Sequence, residues 1–175
     1  PGQRELPFCI HTRYSTQQAI LEDIVASLYA QGMRKLIILS GHGGNNFKGM
    51  IRDLAFVYPD FLIIAADWFS IVPPKDYFEA VVDDHAGESE TSVMMHYHPE
   101  LVNLAEAGDG ESQPFAIPSL NEKVGWAPRH WDKATVDSGV GNPKKASAEK
   151  GERYMKPVVE KLAKLFTEVG LGSLY

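Results

Sequence analysis

The stretch LIILSGHGGNN, Leu36 to Asn46, decides the class of fold. Its aliphatic residues stop at Ser40, and glycines, one histidine and two asparagines follow. A short, continuously apolar run is typical of a strand that is covered on both faces in a parallel sheet. We therefore predict a strand over Lys35–Ser40, with a polar, glycine-rich loop at its carboxyl end.

The sequence on either side of this strand completes an α/β pattern. Apolar residues at steps of three and four predict an amphipathic helix over Ser15–Met33. Ser15 and Gln18 match a capping box at its start, and Gly32 is suited to its end. A second helical pattern over residues 46–58 and a second apolar strand over residues 61–67 follow. Helix, strand, helix and strand with short connections predict a βαβ unit.

The remaining sequence is less regular. We predict a helix from His85 or Ala86 to Tyr97, a short turn at Pro99, and a long ordered excursion over residues 104–143. A helical pattern returns over residues 146–169. The predicted fold class is α/β, a single domain over residues 1–175 with a mostly parallel sheet and helices on both faces.

Composition narrows the functional classes. The 175 residues are 44% hydrophobic, enough for a sizeable core, and carry a net charge of −6. An acidic protein is poorly suited to bind nucleic acid or an anionic membrane, so we expect neither partner. The apolar runs are too short to span a bilayer. The single cysteine, Cys9, fits a reducing compartment, and we expect a cytoplasmic protein.

His42 is the first candidate for chemistry. A histidine at the carboxyl end of a strand, between glycines, is suited to bind a metal or to move protons. Phosphate binding by the loop is an alternative, but GHGGNN matches neither GxGxxG nor the Walker pattern and lacks its lysine. The simplest alternative is a histidine that only fills a turn.

A second cluster lies in DDHAGESETSVMM, residues 83–95. His85 and Glu88 are three residues apart and would share one face of a helical turn, with Glu90 displaced beside them. Histidine and glutamate are ligands for zinc, manganese or iron, and they also transfer protons. Alternatively, both glutamates only complement the dipole of a helix start. HExxH is absent, which excludes a thermolysin-type protease.

LIILSGHGGNN, DHAGESETSVMMHYHPELV and GVGNPKKASAEKG together resemble the creatininase (creatinine amidohydrolase) family, in order and in spacing. The resemblance implies an open parallel α/β sheet, two divalent metals, often zinc with manganese or iron, and hydrolysis of C–N bonds in cyclic or formyl amides. It also implies a homo-oligomer, for example a hexamer.

The resemblance assigns roles to residues. His42 is similar to a metal ligand, and His85 is similar to the residue that transfers the proton. We place Glu90 on the metal and keep Glu88 as an acid/base or supporting residue. For contacts with a small amide substrate we predict Gly43, Gly44, Asn45 and Trp68, although Trp68 fits a packing role equally well.

The departures from the family pattern are informative. Family members have an earlier Glu-x-His-Gly segment and a following aspartate that supply three metal ligands, and this sequence lacks them. We expect that segment to precede residue 1, the chain being the C-terminal two-thirds of a creatininase-like domain. Creatininases proper carry Tyr-Glu in place of Gly43 and Gly44, and tryptophan in place of Val81. The Gly-Gly form looks more like relatives that act on formamidopyrimidine-type or peptide-like amides.

Three functions therefore remain from the sequence. The first is a metal-dependent amidohydrolase that cleaves a non-peptide C–N bond in a small cyclic amide or formamide. The second is an inactive creatininase-like scaffold or regulatory subunit without a full set of ligands. The third is a module that binds an anion or a nucleotide.

Overall fold

A computed structural model describes residues 2–173. Contacts divide the chain into two compact units. The parallel unit contains residues 12–73 and 157–173, and the antiparallel unit contains residues 2–11 and 74–156. The helices are α1 (Tyr14–Ala30), α2 (Lys48–Val57), α3 (Glu88–Tyr97), α4 (Pro118–Asn121), α5 (Trp131–Ala134) and α6 (Ala148–Leu171), and the strands are β1 (Lys35–Ser40), β2 (Leu62–Asp67), β3 (Asp83–His85) and β4 (Val140–Gly141).

The parallel unit confirms the predicted βαβ pattern. β1 and β2 pair in parallel from Lys35 opposite Leu62 to Ser40 opposite Asp67. The predicted first strand has the observed bounds, and the second begins one residue later than predicted. The carboxyl ends of both strands therefore lie at one edge of the sheet, where α/β proteins bind their ligands.

Apolar residues of α1, α2 and β2 form the core of this unit. The buried residues are Leu21, Val25, Met50, Leu54, Phe61 and Ile63. Their spacing of four along each helix explains the periodicity in the sequence. Each such side chain contributes about 1.5–3 kcal/mol when it is fully buried. Leu39 of β1 is 50% exposed. Within residues 2–173, the prediction that both faces of β1 are covered is therefore wrong at Leu39.

The two ends of α1 give opposite results. The predicted Ser15/Gln18 capping box is wrong, because the helix starts at Tyr14 and its N-cap, Arg13, makes no side-chain cap bond. At the other end the prediction for Gly32 is confirmed. Gly32 has a φ of +86°, its N–H donates to the Tyr29 carbonyl, and the next N–H, of Met33, donates to the Leu28 carbonyl. This pair of bonds is a Schellman motif.

The start of α3, in the antiparallel unit, differs from the prediction. Residues 83–85 form β3, which pairs with β4 through Asp83–Gly141 and His85–Val140. Ala86 then has a φ of +50°, which no helix allows, and α3 starts only at Glu88. The predicted start at His85 or Ala86 is therefore wrong, and so is the shared helical face of His85 and Glu88. The predicted end at Tyr97 is confirmed.

The later elements follow the prediction broadly. The excursion over residues 104–143 contains two four-residue helices, α4 and α5, and the two-residue strand β4. α6 buries Tyr154, Val158 and Leu162, as its pattern predicts. The unit boundary falls at Pro157 within α6, and a single domain stays a prediction. Among residues 2–173, no helix combines the length and the apolar character needed to cross a membrane.

Gly151 of α6 lies so close to α3 that it tests this packing. A Cβ atom there would lie 2.1 Å from the Ser92 carbonyl oxygen. We predict that Gly151→Ala lowers the free energy of unfolding by about 1–3 kcal/mol, the usual cost of overpacking. The control is Gly170→Ala in the same helix, where nothing lies within 4 Å of the added atom. Urea denaturation should show a neutral or stabilising control, and equal midpoints for both variants would contradict the packing.

Candidate functional site

The loop after β1 is held by polar contacts around His42. The buried Ser40 hydroxyl donates to the His42 carbonyl at 3.2 Å, and the Asn45 N–H donates to the same carbonyl at 3.2 Å. The Asn45 side-chain amide donates to the Ser40 hydroxyl at 3.4 Å. The predicted substrate contact Asn45 is thus also a residue that shapes the loop.

The two glycines of this loop differ in their surroundings. A Cβ at Gly44 would lie 3.0 Å from His42 Nε2, so the imidazole lies against the backbone of Gly44. A Cβ at Gly43 would make ordinary contact, 3.7 Å, with the Phe69 ring. Neither glycine has a positive φ. Gly44 therefore serves the close approach of the His42 ring to the backbone.

Trp68 lies at the carboxyl end of β2 and contacts the same loop. Its indole N–H donates to the Gly41 carbonyl at 3.2 Å, and its ring makes an edge contact with Phe69 at 6.1 Å. The predicted residues His42, Gly43, Gly44, Asn45 and Trp68 thus lie on neighbouring strand ends in the parallel unit. A cavity of about 310 Å³ in this unit includes Asn45 and Asp67 in its lining, together with the start of α2.

His85 and Glu90 form a pair at the start of α3. His85 Nδ1 lies 3.8 Å from Glu90 Oε2, and that oxygen also accepts a hydrogen bond of 2.7 Å from the Ala86 N–H. Their side chains are 26% and 32% exposed, so solvent or a substrate has access to both. The structure confirms that these two residues are neighbours. Their metal-binding and proton-transfer roles stay predictions.

Glu88 has a different environment from His85 and Glu90. Its side chain is fully buried. One carboxylate oxygen accepts hydrogen bonds of 2.8 Å from the N–H groups of Glu79 and Ala80, and the other pairs with the Lys150 ammonium. These are the contacts of a carboxylate that holds neighbouring chain segments together. An acid/base role for Glu88 stays a prediction.

Lys150 connects Glu88 to a wider ionic network that the sequence analysis missed. Its ammonium also donates to Glu79 at 3.1 Å and to the Lys145 carbonyl at 2.9 Å, and Lys145 pairs with Glu79 at 2.8 Å. The hydrogen bond to Glu88 raises the pKa of Lys150. Hydrogen bonds from Lys145 and Lys150 lower the pKa of Glu79 to about 2. The signal was present in GVGNPKKASAEKG, which carries three lysines, Lys144, Lys145 and Lys150, within seven residues.

Arg129 is a second residue that sequence reasoning missed. It pairs with Asp84, the neighbour of His85, at 2.8 Å, and its guanidinium lies 5.1 Å from the centre of the Trp131 ring. Arg129 and Asp84 are 45 residues apart in the sequence, so no local pattern predicts this ion pair.

The donors for a metal are of the right chemical types. Imidazole and carboxylate are the groups that zinc and manganese take from proteins, and His42 and Glu90 supply them. Glu90 Oε1 makes no hydrogen bond to residues 2–173. Within that range, however, no group of three or more histidine, cysteine, aspartate or glutamate side chains is arranged to hold an ion. A complete metal centre would need further donors.

Polar loops follow the carboxyl ends of parallel strands, and a histidine–glutamate pair lies at the start of a helix, so the protein is of the α/β class. The sequence profile of the creatininase family, described as creatinine amidohydrolase, matches residues 1–166. The chain belongs to the creatininase family. The predicted resemblance and the creatininase-like α/β fold class are thereby confirmed.

Solved structures agree with this assignment. A Bacteroides fragilis NCTC 9343 protein described as a candidate creatinine amidohydrolase is 83% identical, with a TM-score of 0.97, over 100% of this chain and 69% of that one. A mutant creatininase complexed with creatine has a TM-score of 0.71 at 23% identity, over 95% of this chain and 69% of that one. The second likeness shows the fold alone.

Curated relatives point to two kinds of substrate. The mycofactocin precursor peptide peptidase of Mycobacterium ulcerans (strain Agy99) is 32% identical over 131 residues, 72% of this chain and 45% of the relative. The creatinine amidohydrolase of Pseudomonas putida is 24% identical over 169 residues, 88% of this chain and 63% of the relative. The chain thus spans about half to two-thirds of the length of these relatives.

The buried pair of Glu88 and Lys150 gives a prediction for stability. Lys150→Met leaves the Glu88 carboxylate buried without its cation, and we expect the free energy of unfolding to fall by about 3–5 kcal/mol. The control is Lys164→Met, which removes an exposed pair with Glu168 and should cost less than about 1 kcal/mol. Thermal and urea unfolding measure both. Similar losses for the two lysines would contradict a structural role for the buried pair.

Proposed function

We propose that the protein is a metal-dependent amidohydrolase that cleaves the C–N bond of a small cyclic amide or a formamide. The observation that carries this proposal is the partly exposed pair of His85 and Glu90, with 3.8 Å between Nδ1 and Oε2. Membership of the creatininase family supports the type of reaction. The nucleotide-binding alternative has no comparable support.

In this proposal His85 carries a proton to the leaving nitrogen of the amide. The Glu90 carboxylate lies beside this imidazole, 3.8 Å from Nδ1. His42 and Glu90 are each proposed as a metal ligand. The metal, zinc with a second zinc, manganese or iron, would supply activated water.

The loop after β1 is proposed to contact the substrate. Gly43 and Gly44 leave backbone groups accessible beside His42, and Asn45 and Trp68 border them. Glu88 is proposed as a supporting residue, because its buried ion pair holds the first turn of α3, which also carries Glu90. We further propose a cytoplasmic homo-oligomer, for example a hexamer, without a nucleic-acid or membrane partner.

Peptide hydrolysis is the second candidate. The chain is 32% identical to a mycofactocin precursor peptide peptidase and 24% identical to a creatinine amidohydrolase. The Gly43–Gly44 pair, where creatininases proper carry Tyr-Glu, also separates this chain from enzymes that act on creatinine. The amide of a peptide has the same C–N bond as the smaller substrates, so the chemistry proposed for His85 applies equally.

The inactive scaffold is a third candidate from another class. One observation favours it. Within residues 2–173, no three histidine, cysteine, aspartate or glutamate side chains are arranged to hold a metal ion. Metal binding and turnover distinguish it from the enzyme.

Metal content is the first test. We predict about two divalent metals per chain in the purified full-length protein by elemental analysis, with loss of metal in His42→Ala and in Glu90→Ala. His98→Ala is the control, because His98 is exposed and pairs only with Glu100 at 3.3 Å among its described partners. Metal-free wild-type protein, folded and unchanged by chelator, would exclude the enzyme and favour the scaffold.

Turnover is the second test, with cyclic amides, formamides and short peptides offered to the metal-loaded protein. We predict that His85→Gln lowers kcat by about 10²–10⁴-fold on the substrate that is cleaved, the usual contribution of a proton-transfer group. His98→Gln serves as the control in the same unit. Cleavage of peptides alone would select the second candidate, and full activity of His85→Gln would refute the proposed role of His85.

A further inference from the structure

The His85 imidazole is packed against the indole of Trp131. The ring centres are 5.0 Å apart and the planes meet at 71°, an edge-to-face arrangement. Aromatic rings prefer this geometry because the positive edge of one meets the negative face of the other. Since Glu90 lies near Nδ1 of the same imidazole, the ring has contacts that restrict its rotation from two directions.

Trp131 is itself held in place by Arg129. The guanidinium lies over the indole at 5.1 Å, and the same group pairs with Asp84 at 2.8 Å. Asp84 and His85 are consecutive residues of β3, so Arg129 and Trp131 contact adjacent positions of that strand. The segment from Arg129 to Trp131 is thereby attached to β3 by one ion pair and one ring contact.

The backbone of the segment from Arg129 to Trp131 is held by contacts with Gly2. The Trp131 N–H donates to the Gly2 carbonyl at 2.9 Å. A Cβ at Gly2 would lie 1.9 Å from the Arg129 carbonyl oxygen, so the two segments are in direct contact. The indole therefore has a fixed backbone as well as a fixed side chain.

We propose that Trp131, held by Arg129, is a positioning residue that sets the orientation of the His85 imidazole. This inference rests on the proposed proton-transfer role of His85. A proton is transferred only over hydrogen-bond distance and in a suitable direction, so a ring that rotates freely spends less time in a productive orientation. Trp131 and Arg129 act through His85 and have no direct contact with the substrate in this proposal.

The first experiment observes the ring contact without any turnover. In the full-length protein with isotope-labelled histidine, the indole should shift the ring-proton NMR signals of His85 away from those of the exposed His98. Trp131→Ala should move the His85 signals to the exposed values, and Trp131→Phe should retain part of the shift. Trp126→Ala is the control, since Trp126 is 85% exposed and lies in the same loop.

The second experiment separates orientation from substrate binding. On the substrate found in the turnover screen, Trp131→Ala should lower kcat about 10- to 100-fold with KM nearly unchanged, the scale of a small displacement of a reacting group. Trp131→Phe should recover most of this loss. Arg129→Met should reduce kcat less, and Arg129→Lys, which keeps a cation beside Asp84, should reduce it least.

The outcomes distinguish this inference from the proposed function. If His85→Gln is fully active, the proposed proton-transfer role of His85 fails, while the NMR signals still test the contact. If His85→Gln is inactive but Trp131→Ala keeps both kcat and the His85 signals of the wild type, the inference is overturned. If Trp131→Ala does not fold, Trp131→Phe and Arg129→Met decide: unchanged His85 signals and unchanged kcat in both would overturn it.

Discussion

The fully buried carboxylate of Glu88 is the interaction on which the antiparallel unit depends. A buried charge is costly unless an opposite charge and hydrogen bonds replace the lost water. Here two backbone N–H groups, from Glu79 and Ala80, and the Lys150 ammonium do so. Glu88 thus joins the segment before β3, the first turn of α3 and the start of α6. His85 is the last residue of β3, and Glu90 lies in the first turn of α3. The geometry of this pair therefore depends on the segments that Glu88 joins.

The third family motif, residues 139–151, has a structural explanation on the same basis. Val140 and Gly141 pair with β3, and Lys150 pairs with Glu88. The Ser147 N–H donates to the buried Ser92 hydroxyl at 3.1 Å, while its own hydroxyl accepts from the Lys150 N–H at 3.2 Å. These residues therefore contact β3, α3 or one another. A motif shared with a family of enzymes can therefore support a site without touching a substrate.

The difference between what the sequence predicts and what it misses follows the distance between interacting residues. β1, α2 and β2 were predicted within two residues because their apolar periods are local, and Gly32 marks the end of α1 for an equally local reason. β3 was missed because its partner, β4, is distant in sequence and each strand has at most three residues. The sequence alone does not distinguish a glutamate that only complements a helix dipole from a buried one. The residue that pairs with buried Glu88, Lys150, is 62 residues away. His42, His85 and Glu90 are predicted site residues because their residue types suggest chemistry, whereas Arg129 was missed because its ion-pair partner, Asp84, is 45 residues away.

The geometry of Gly44 bears on the difference between this chain and creatininases proper, which carry glutamate at this position. A Cβ at residue 44 would lie 3.0 Å from His42 Nε2, closer than nearly all contacts of real side chains, so the imidazole would have to move. The His42 ring would have to shift by a few tenths of an ångström to admit a side chain at residue 44. Gly43 imposes no such limit, because its Cβ would meet Phe69 at an ordinary 3.7 Å. A glutamate at residue 44, which the resemblance implies for creatininases proper, would therefore come with a shifted His42 ring. Because Gly43 and Gly44 carry no side chains, the proposed substrate contacts of this loop are backbone groups and Asn45, which is a physical reason to test peptide-like amides beside cyclic ones.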